Sequence, residues 1–433
     1  MKKKLAIKTF GCKINQYESA CMADAFIRKN YEITDFETEA DVYLINTCTV
    51  TGRTDYKSRN SIRKALAQKA KNPDATVMVT GCYAQRNKDA VEELGEVDYV
   101  IDNNSKNRVT EILKAKINRF ENILEAEDFA EMSTGQMLDK TRIFIKVQDG
   151  CDFYCSYCAI PYARGHSRSR KKEKVLEQIK ILTERGYAEF VLGGINLGLY
   201  GCDLYEDYNL VSLLKDIEKT DGVKIIRLSS VEPQLITDEL AEFYFKSEKM
   251  APHLHIPLQA GTDNLLKLMN RRYSTKEFYE LLKKILQNRP DTALGFDLIV
   301  GLPGETEQDI TETLDFIDKI TFAYIHLFTY SSRPGTKAEK MPDHPAGNIV
   351  KERKNRLQKA ILNKKNAYLE YLLKNKIKLG CIAEKNEEPG GSGLSDHYVR
   401  IYWKENCYNN GEFVMGFPVR LYKEGLLIKP EKN

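Results

Sequence analysis

Three cysteines stand close together in the segment Gly150-Cys151-Asp152-Phe153-Tyr154-Cys155-Ser156-Tyr157-Cys158, separated by three and then two residues. Thiolates this near on one loop can hold three irons of a 4Fe-4S cluster and leave the fourth iron open to a substrate. Zinc is the competing reading. It needs a fourth ligand, for which His166 is near enough in sequence.

Three more cysteines, Cys12, Cys48 and Cys82, each follow a short apolar run: KLAIKTFG, DVYLINT and ATVMVTG. Any one alone would pass for a buried core thiol. All three fall at strand ends, and Gly11 and Gly81 precede two of them. The carboxyl ends of strands in an open parallel sheet form its ligand crevice, and glycine lets backbone approach a ligand closely, so the three could converge there. Cys21, Cys202, Cys381 and Cys407 fit no such position and read as ordinary thiols.

These residues need elements to hold them. A chain of 433 residues predicts about three domains, and 42% hydrophobic with 30% charged residues is the balance of a soluble globular protein. No run of about 18 apolar residues occurs, and Met1-Lys2-Lys3-Lys4 leads into only a short apolar stretch. We therefore expect a cytoplasmic protein with no membrane span and no signal peptide, whose cysteines serve metals or catalysis rather than disulfides.

Residues 5–115 alternate apolar strands with helical patterns, which predicts a parallel sheet covered by helices on both faces. Residues 116–140 read as a helical, acidic connector. From Thr141 six strand patterns follow: RIFIKVQ, EFVLGG, KIIRLSS, HLHIPLQ, ALGFDLIVGLP and AYIHLFTY. Helices begin about Lys172, near Leu210, and from Thr237, Ser274 and Thr306, so we expect a partial or closed parallel barrel. Its functional residues should sit at strand carboxyl ends, which hold Cys151, Gly193, Gly194, Ser229, Ser230, Gln259 and Gly301-Leu302-Pro303-Gly304. Short alternating stretches over 377–430 predict a small antiparallel barrel.

Charge is unevenly spread. The net value is only +4, yet residues 351–380 carry ten basic and two acidic side chains, which suits either a polyanion such as nucleic acid or a solvated helix face. Arg164, Arg168, Arg170, Lys171 and Lys172 form a second basic run beside the cysteine loop, able to lead a nucleic acid to it or simply to be solvated. Tyr398, Tyr402, Trp403 and Phe413, interleaved with Arg400, Lys404 and Arg420, could stack on bases, although several would face a core.

The C-x3-C-x-aromatic-C loop after a first barrel strand resembles the signature of the radical S-adenosylmethionine (SAM) superfamily. That likeness implies a catalytic 4Fe-4S cluster on Cys151, Cys155 and Cys158, whose open iron chelates SAM and splits it to a 5'-deoxyadenosyl radical. By the same likeness Tyr157 lies against the adenine and Gly193-Gly194 meets the SAM amino group, with Ile195 where the family usually carries an acid. Ser229 and Asp297 are taken as further SAM contacts, a buried structural role for Asp297 being equally open. His255 and Gln259 belong to a family motif without a derivable role.

Over nearly the whole chain the segments TFGCKINQYES, DVYLINTCTVT, VTGCYAQ, VQDGCDFYCSYCAIPYARGHSRSR, HLHIPLQAGTDNLLKLMNRRY, FDLIVGLPGET and FTYSSRPGT resemble the methylthiotransferases. The resemblance implies a flavodoxin-like α/β domain at 1–116 with a second 4Fe-4S cluster on Cys12, Cys48 and Cys82. It further implies a radical-SAM (βα)6 partial barrel at 137–366 and a TRAM RNA-binding barrel at 369–432. By the same resemblance two SAM molecules are consumed per turnover, with an external one-electron donor such as a flavodoxin-type protein and a separate sulfur source.

Three segments, PYARG, GGINLG and RLSSVEP, resemble the branch acting on transfer RNA. That branch converts N6-threonylcarbamoyladenosine (t6A) at position 37, 3' of the anticodon, to its 2-methylthio form. Isopentenyladenosine in tRNA or a ribosomal-protein aspartate are the alternative acceptors. A carboxylate-bearing substrate would suit Arg164, Arg227 and Ser229 near the barrel mouth, unless Arg227 pairs with Glu232. A zinc-stabilised RNA-binding protein is the non-enzymatic alternative.

Overall fold

The computed structural model describes residues 2–117, 120–134, 142–386, 390–404 and 408–431. Cys407 and the expected domain limits at 137 and 432 lie outside them.

Strands β1 (Lys3–Thr9), β2 (Tyr31–Thr34), β3 (Val42–Thr47), β4 (Thr76–Gly81) and β5 (Tyr99–Val100) form a parallel sheet in the order β2-β1-β3-β4-β5. This is the doubly wound order of flavodoxin-like folds. The edge strand β2, YEIT, is only partly buried and has no strong apolar pattern to announce it in the sequence. Alternate residues go to opposite faces. Leu5, Val42, Leu44 and Met78 pack with the Lys13–Ile27 helix, while Ala6, Tyr43, Ile45, Val77 and Val79 pack with the Gly52–Lys69 helix. The first face is continuous with the core of the barrel that follows.

The connector is not the expected helix. Lys116 turns left-handed at φ 53 and ends the preceding helix, and the described part of 117–134 holds a single 3-10 turn at Ile123–Glu125. With no 3.6-residue apolar stripe to bury, it runs as a strap pinned by buried Ile123 and Met132.

The barrel is built from β6 (Ile143–Lys146), the short β7 (Gln148–Asp149) and β8 (Arg168–Ser169), then β9 (Glu189–Gly193), β10 (Ile225–Leu228), β11 (His253–His255), β12 (Ala293–Val300) and β13 (Tyr324–Thr329). Six of these lie parallel in chain order: β6-β9-β10 and β11-β12-β13, joined by a bridge between Ile226 and Met250. Among the described residues no ladder joins β6 to β13, so the barrel is partial. Its helices start where polar side chains cap them: Asn209, Thr237, Ser274 and Thr306 each accept from a backbone N–H of the first turn. The β7–β8 hairpin, too short for any sequence pattern, brackets the cysteine loop.

The last sheet comprises β14 (Leu379–Ile382), β15 (Lys385–Asn386), β16 (Gly391–Leu394), β17 (Arg400–Trp403), β18 (Phe413–Tyr422) and β19 (Gly425–Pro430), in the order β14-β18-β19-β17-β16-β15. It is antiparallel except for β17 on β19, and a Cys381–Ser395 bridge nearly closes it. Tyr402 and Trp403 are buried and Tyr398 stacks on the barrel, so these three are not an open platform for bases. The preceding helix, Gly347–Lys374, carries most of the basic segment and anchors itself through Leu357, Ile361, Tyr368, Leu369 and Leu372. No helix among the described residues is long and apolar enough to cross a membrane.

Candidate metal centres and active site

The Cys151–Cys158 loop leaves the barrel at Gly150, whose φ is +73 and where a Cβ would lie 1.8 Å from the His166 carbonyl oxygen, so only glycine fits. The Cys151 amide donates to Gly165 O at 3.0 Å, closing the loop's base. Each sulfur accepts from a different donor. Asn196 Nδ2 reaches Cys151 Sγ at 3.6 Å, Arg271 Nη1 reaches Cys155 Sγ at 3.3 Å, and the Ile160 amide reaches Cys158 Sγ at 3.5 Å. Burial pushes the Cys151 thiol up to about 11 and the Cys158 thiol up to about 12, with Cys155 adding to both. A bound metal ion would deprotonate thiols that coordinate it.

Around this loop three buried polar atoms have no partner: Ser156 Oγ, Asn196 Oδ1 and Ser229 Oγ. They stand in the cysteine loop and just after the carboxyl ends of β9 and β10, a cradle that fits the amino and carboxylate groups of SAM. Tyr157 is half-buried against the apolar core. Gly193 and Gly194 have a packing reason to be glycine: a Cβ would lie 1.9 Å from the Phe144 ring at the first and 2.6 Å from Gln148 Oε1 at the second.

In the first domain, Gly11 (φ +94) lets the turn before Cys12 press onto Cys48, since a Cβ there would lie 2.6 Å from Cys48 Sγ. Gly81 (φ +101) brings Cys82 over β3, where a Cβ would lie 2.2 Å from Thr47 O. Cys48 and Cys82 are buried and Cys12 is exposed. Burial, then the nearby Cys82, pushes the Cys48 thiol up to about 12, with Cys12 adding to it. Unpartnered Asn46 Oδ1, Thr49 Oγ1, Thr80 Oγ1 and Asn103 Oδ1 belong to the same strand ends and loops. Three residues that are distant in sequence thus share one polar cleft able to hold a cluster. The remaining described cysteines differ: Cys21 and Cys381 are buried in apolar cores and Cys202 is exposed.

The family model described as uncharacterized protein family UPF0004 matches residues 4–102, and that of the radical SAM superfamily matches residues 145–317. The threonylcarbamoyladenosine tRNA methylthiotransferase MtaB of Aquifex aeolicus is 41% identical over 92% of this chain and 96% of its own. This chain is a radical SAM methylthiotransferase. The Bacillus subtilis protein of the same name is 38% identical, over 98% of this chain and 96% of its own. A tRNA-2-methylthio-N(6)-dimethylallyladenosine synthase of Acetivibrio thermocellus is 34% identical, over 82% and 76%. Among solved structures the fold is similar to the radical SAM methyltransferase TsrM of Kitasatospora setae, with TM-score 0.58 and 14% identity over 78% of this chain and 77% of that one. The family works with SAM and 4Fe-4S clusters, and both cysteine sets have the donors and cradles such groups need.

In this methylthiotransferase the arginines beside the cysteine loop do not face solvent. Arg164 is wholly buried among Glu18, Asp149, Asn15 and Cys82. Arg168 donates to the carbonyls of His166 and Arg164, and Arg170 to Glu131 and Gln178, both from positions no more than 3% exposed. None of the three can meet RNA here; of that run Lys171 is exposed and Lys172 half-buried. Arg227 pairs with Glu189 at 2.5 Å and donates to the Ser395 and Asp396 carbonyls, so it holds the last domain instead of a substrate. Glu232 pairs with Arg271, so the alternative pairing of Arg227 with Glu232 does not form either. His166 is engaged by Asp152 at 2.7 Å.

Asp297 lies in a polar row across β11, β12 and β13, accepting from His255 Nε2 at 3.0 Å and His326 Nδ1 at 3.3 Å. Burial opposes its charge, but those hydrogen bonds outweigh it and hold the carboxyl at about 2. Tyr324 OH meets His253 at 2.8 Å and His255 at 3.1 Å, and Tyr398 of the last domain stacks on His253 with centroids 4.5 Å apart. Lys13 Nζ, next to Cys12, lies 5.8 Å from the Tyr398 ring. All three parts of the chain therefore meet at this polar wall. Its only sequence trace is alternation in HLH and YIH, which puts these side chains on one face of neighbouring strands.

Proposed function

We propose that this enzyme converts t6A at position 37 of tRNA to 2-methylthio-t6A, with SAM on the cluster of Cys151, Cys155 and Cys158 and a second 4Fe-4S cluster on Cys12, Cys48 and Cys82. The observation that carries the reading is the pair of three-cysteine sets in one chain, each with hydrogen-bond donors on its sulfurs or unpartnered polar atoms around them. Among the described residues, the trio whose ligand atoms all fall within 4.8 Å is His255, Asp297 and His326. Each cysteine set offers three thiols and, among the described residues, no fourth protein ligand on its loop, His166 being engaged by Asp152, which favours a cluster with one open iron over a four-coordinate structural zinc. The bound cofactors supply the radical that breaks an unactivated C–H bond and the sulfur and methyl group that replace the hydrogen.

The chain's own residues position. Arg271 and Asn196 fix the sulfurs of the SAM set, and Ser156, Asn196 and Ser229 offer polar atoms to SAM. His326, exposed and held by Asp297 through Nδ1, offers its Nε2 to the carboxylate and hydroxyl arm of t6A, while buried His255 spends both nitrogens on Asp297 and Tyr324. For the acceptor, four relatives named for threonylcarbamoyladenosine match at 34–41% over 86–98% of the chain, while a dimethylallyladenosine synthase matches at 34% over 82%. The exposed lysines of the Gly347–Lys374 helix offer the anticodon stem its electrostatic contact. An external one-electron donor of flavodoxin type and a sulfur source complete the turnover.

Mass spectrometry of tRNA nucleosides from cells with and without the protein tests the reading. Loss of 2-methylthio-t6A with t6A retained is the expected result. An unchanged profile would overturn it and move the acceptor to a ribosomal protein, while loss of the methylthio isopentenyl nucleoside would move it to the other tRNA branch.

A further inference from the structure

Arg164 has no solvent exposure, yet it stands between the two cysteine sets. It ends the short Ile160–Arg164 helix that follows Cys158, and its Nε donates to Cys82 Sγ at 3.3 Å. Its remaining nitrogens donate to Glu18 at 2.5 and 3.0 Å, Asp149 at 3.2 Å and Asn15 at 2.6 Å. Lys106 and Lys146, both buried, also reach Glu18, at 2.5 and 2.7 Å, and Lys146 reaches Asp149 at 2.5 Å.

The charges do not cancel. Arg164, Lys106 and Lys146 are set against Glu18 and Asp149, buried Arg168 adds a further cation that donates to carbonyls, and with buried Asp102, held by the Asn104 and Ser105 amides, four cations face three carboxylates. Breaking a buried ion pair so that a charge is left uncompensated is costly, and the sulfur of Cys82 is in contact with the excess, at 3.3 Å from Arg164 Nε. A 4Fe-4S core of charge 2+ on three thiolates is net negative, so it fits this gap.

We propose that Arg164, aimed by Glu18 and Asn15, is the positioning counter-ion of the cluster held by Cys12, Cys48 and Cys82, and raises that cluster's occupancy and reduction potential. The inference rests on the cluster assignment under the proposed function. Arginine suits the task because one planar, permanently charged fork can donate to sulfur through Nε and to carboxylates through its Nη atoms. Glu18 and Asn15 lie on the helix that begins directly after Cys12, so the element carrying one ligand aims the cation at another. Reduction adds negative charge, which a fixed neighbouring cation stabilises.

The test uses the full chain with Cys151, Cys155 and Cys158 replaced by alanine, so that only the first-domain cluster loads, reconstituted anaerobically with iron and sulfide. About four irons per chain are expected, with a midpoint potential read by EPR-monitored titration. Arg164→Gln should lose iron and lower the potential of what remains. Arg164→Lys should retain iron with a smaller fall, and Lys106→Met, one step removed, should also shift the potential downward. Should Arg164→Gln not fold, Lys106→Met and Arg164→Lys decide. Unchanged potentials in these variants overturn the proposal, even where melting temperature falls, because that is the mark of a purely structural pair. If the parent triple variant binds no cluster, the cluster assignment itself fails and this inference falls with it.

Discussion

Cys155 and Cys48 are both thiols in metal-binding position, and the proposed roles make their loss distinguishable. Cys155→Ala should abolish cleavage of SAM to 5'-deoxyadenosine and all product. Cys48→Ala should leave cleavage largely intact and abolish sulfur insertion, as chromatography of 5'-deoxyadenosine and of digested tRNA would show. Methylthiolated product from Cys48→Ala would sink the role given to the first-domain set. At this scale the cysteines are legible because spacing and strand ends are local properties. The arginines are not: Arg164, Arg168 and Arg170 look like one basic run, and only their burial against Glu18, Glu131 and Gln178 shows that none is a solvent-facing cation.

Strands and helices follow from alternation and from caps such as Ser274 and Thr306, each completing a capping box with Glu277 and Asp309. Gly193 at the end of β9 shows where an element imposes its own demand. Gly193→Ala drives a Cβ into the Phe144 ring, an overpacking that costs about 1–3 kcal/mol and should lower the melting temperature. Adding Phe144→Leu should restore the fold. SAM affinity of the double variant, measured by equilibrium dialysis, then separates two roles: wild-type affinity assigns Gly193 to packing, and persistent loss assigns it to SAM. The strap at 120–134 is illegible because it carries no apolar period, and the β7–β8 hairpin because strands of two residues are too short to show one.

Across the whole molecule the last domain is locked to the barrel by polar contacts. His397 is buried and bridges Asp396 at 2.7 Å and Asp291, in the turn before β12, at 3.1 Å. Burial disfavours its charge, but the hydrogen bonds it donates to both carboxylates outweigh that and raise it to about 9. A raised histidine contributes stability fully below its unfolded value of about 6.5, and the contribution is lost as pH rises through about 9. His397→Gln should therefore lower the melting temperature most at pH 6, by an amount corresponding to roughly 1–3 kcal/mol, and the difference should vanish near pH 10. Equal destabilisation at both ends would rule out the charged lock.

By itself the amino-acid order determined the two cysteine sets, the parallel α/β succession, the helix starts and the family likeness, because each is written within a few residues or a strand's length. Tertiary structure decided the partners. Lys106 meets Glu18 across 88 positions, Arg227 meets the Asp396 carbonyl across 169, and His255, Asp297 and His326 converge from three strands. Whether a charge is buried, and against what, depends on how distant segments cross, and no local period of 2 or 3.6 residues encodes that crossing.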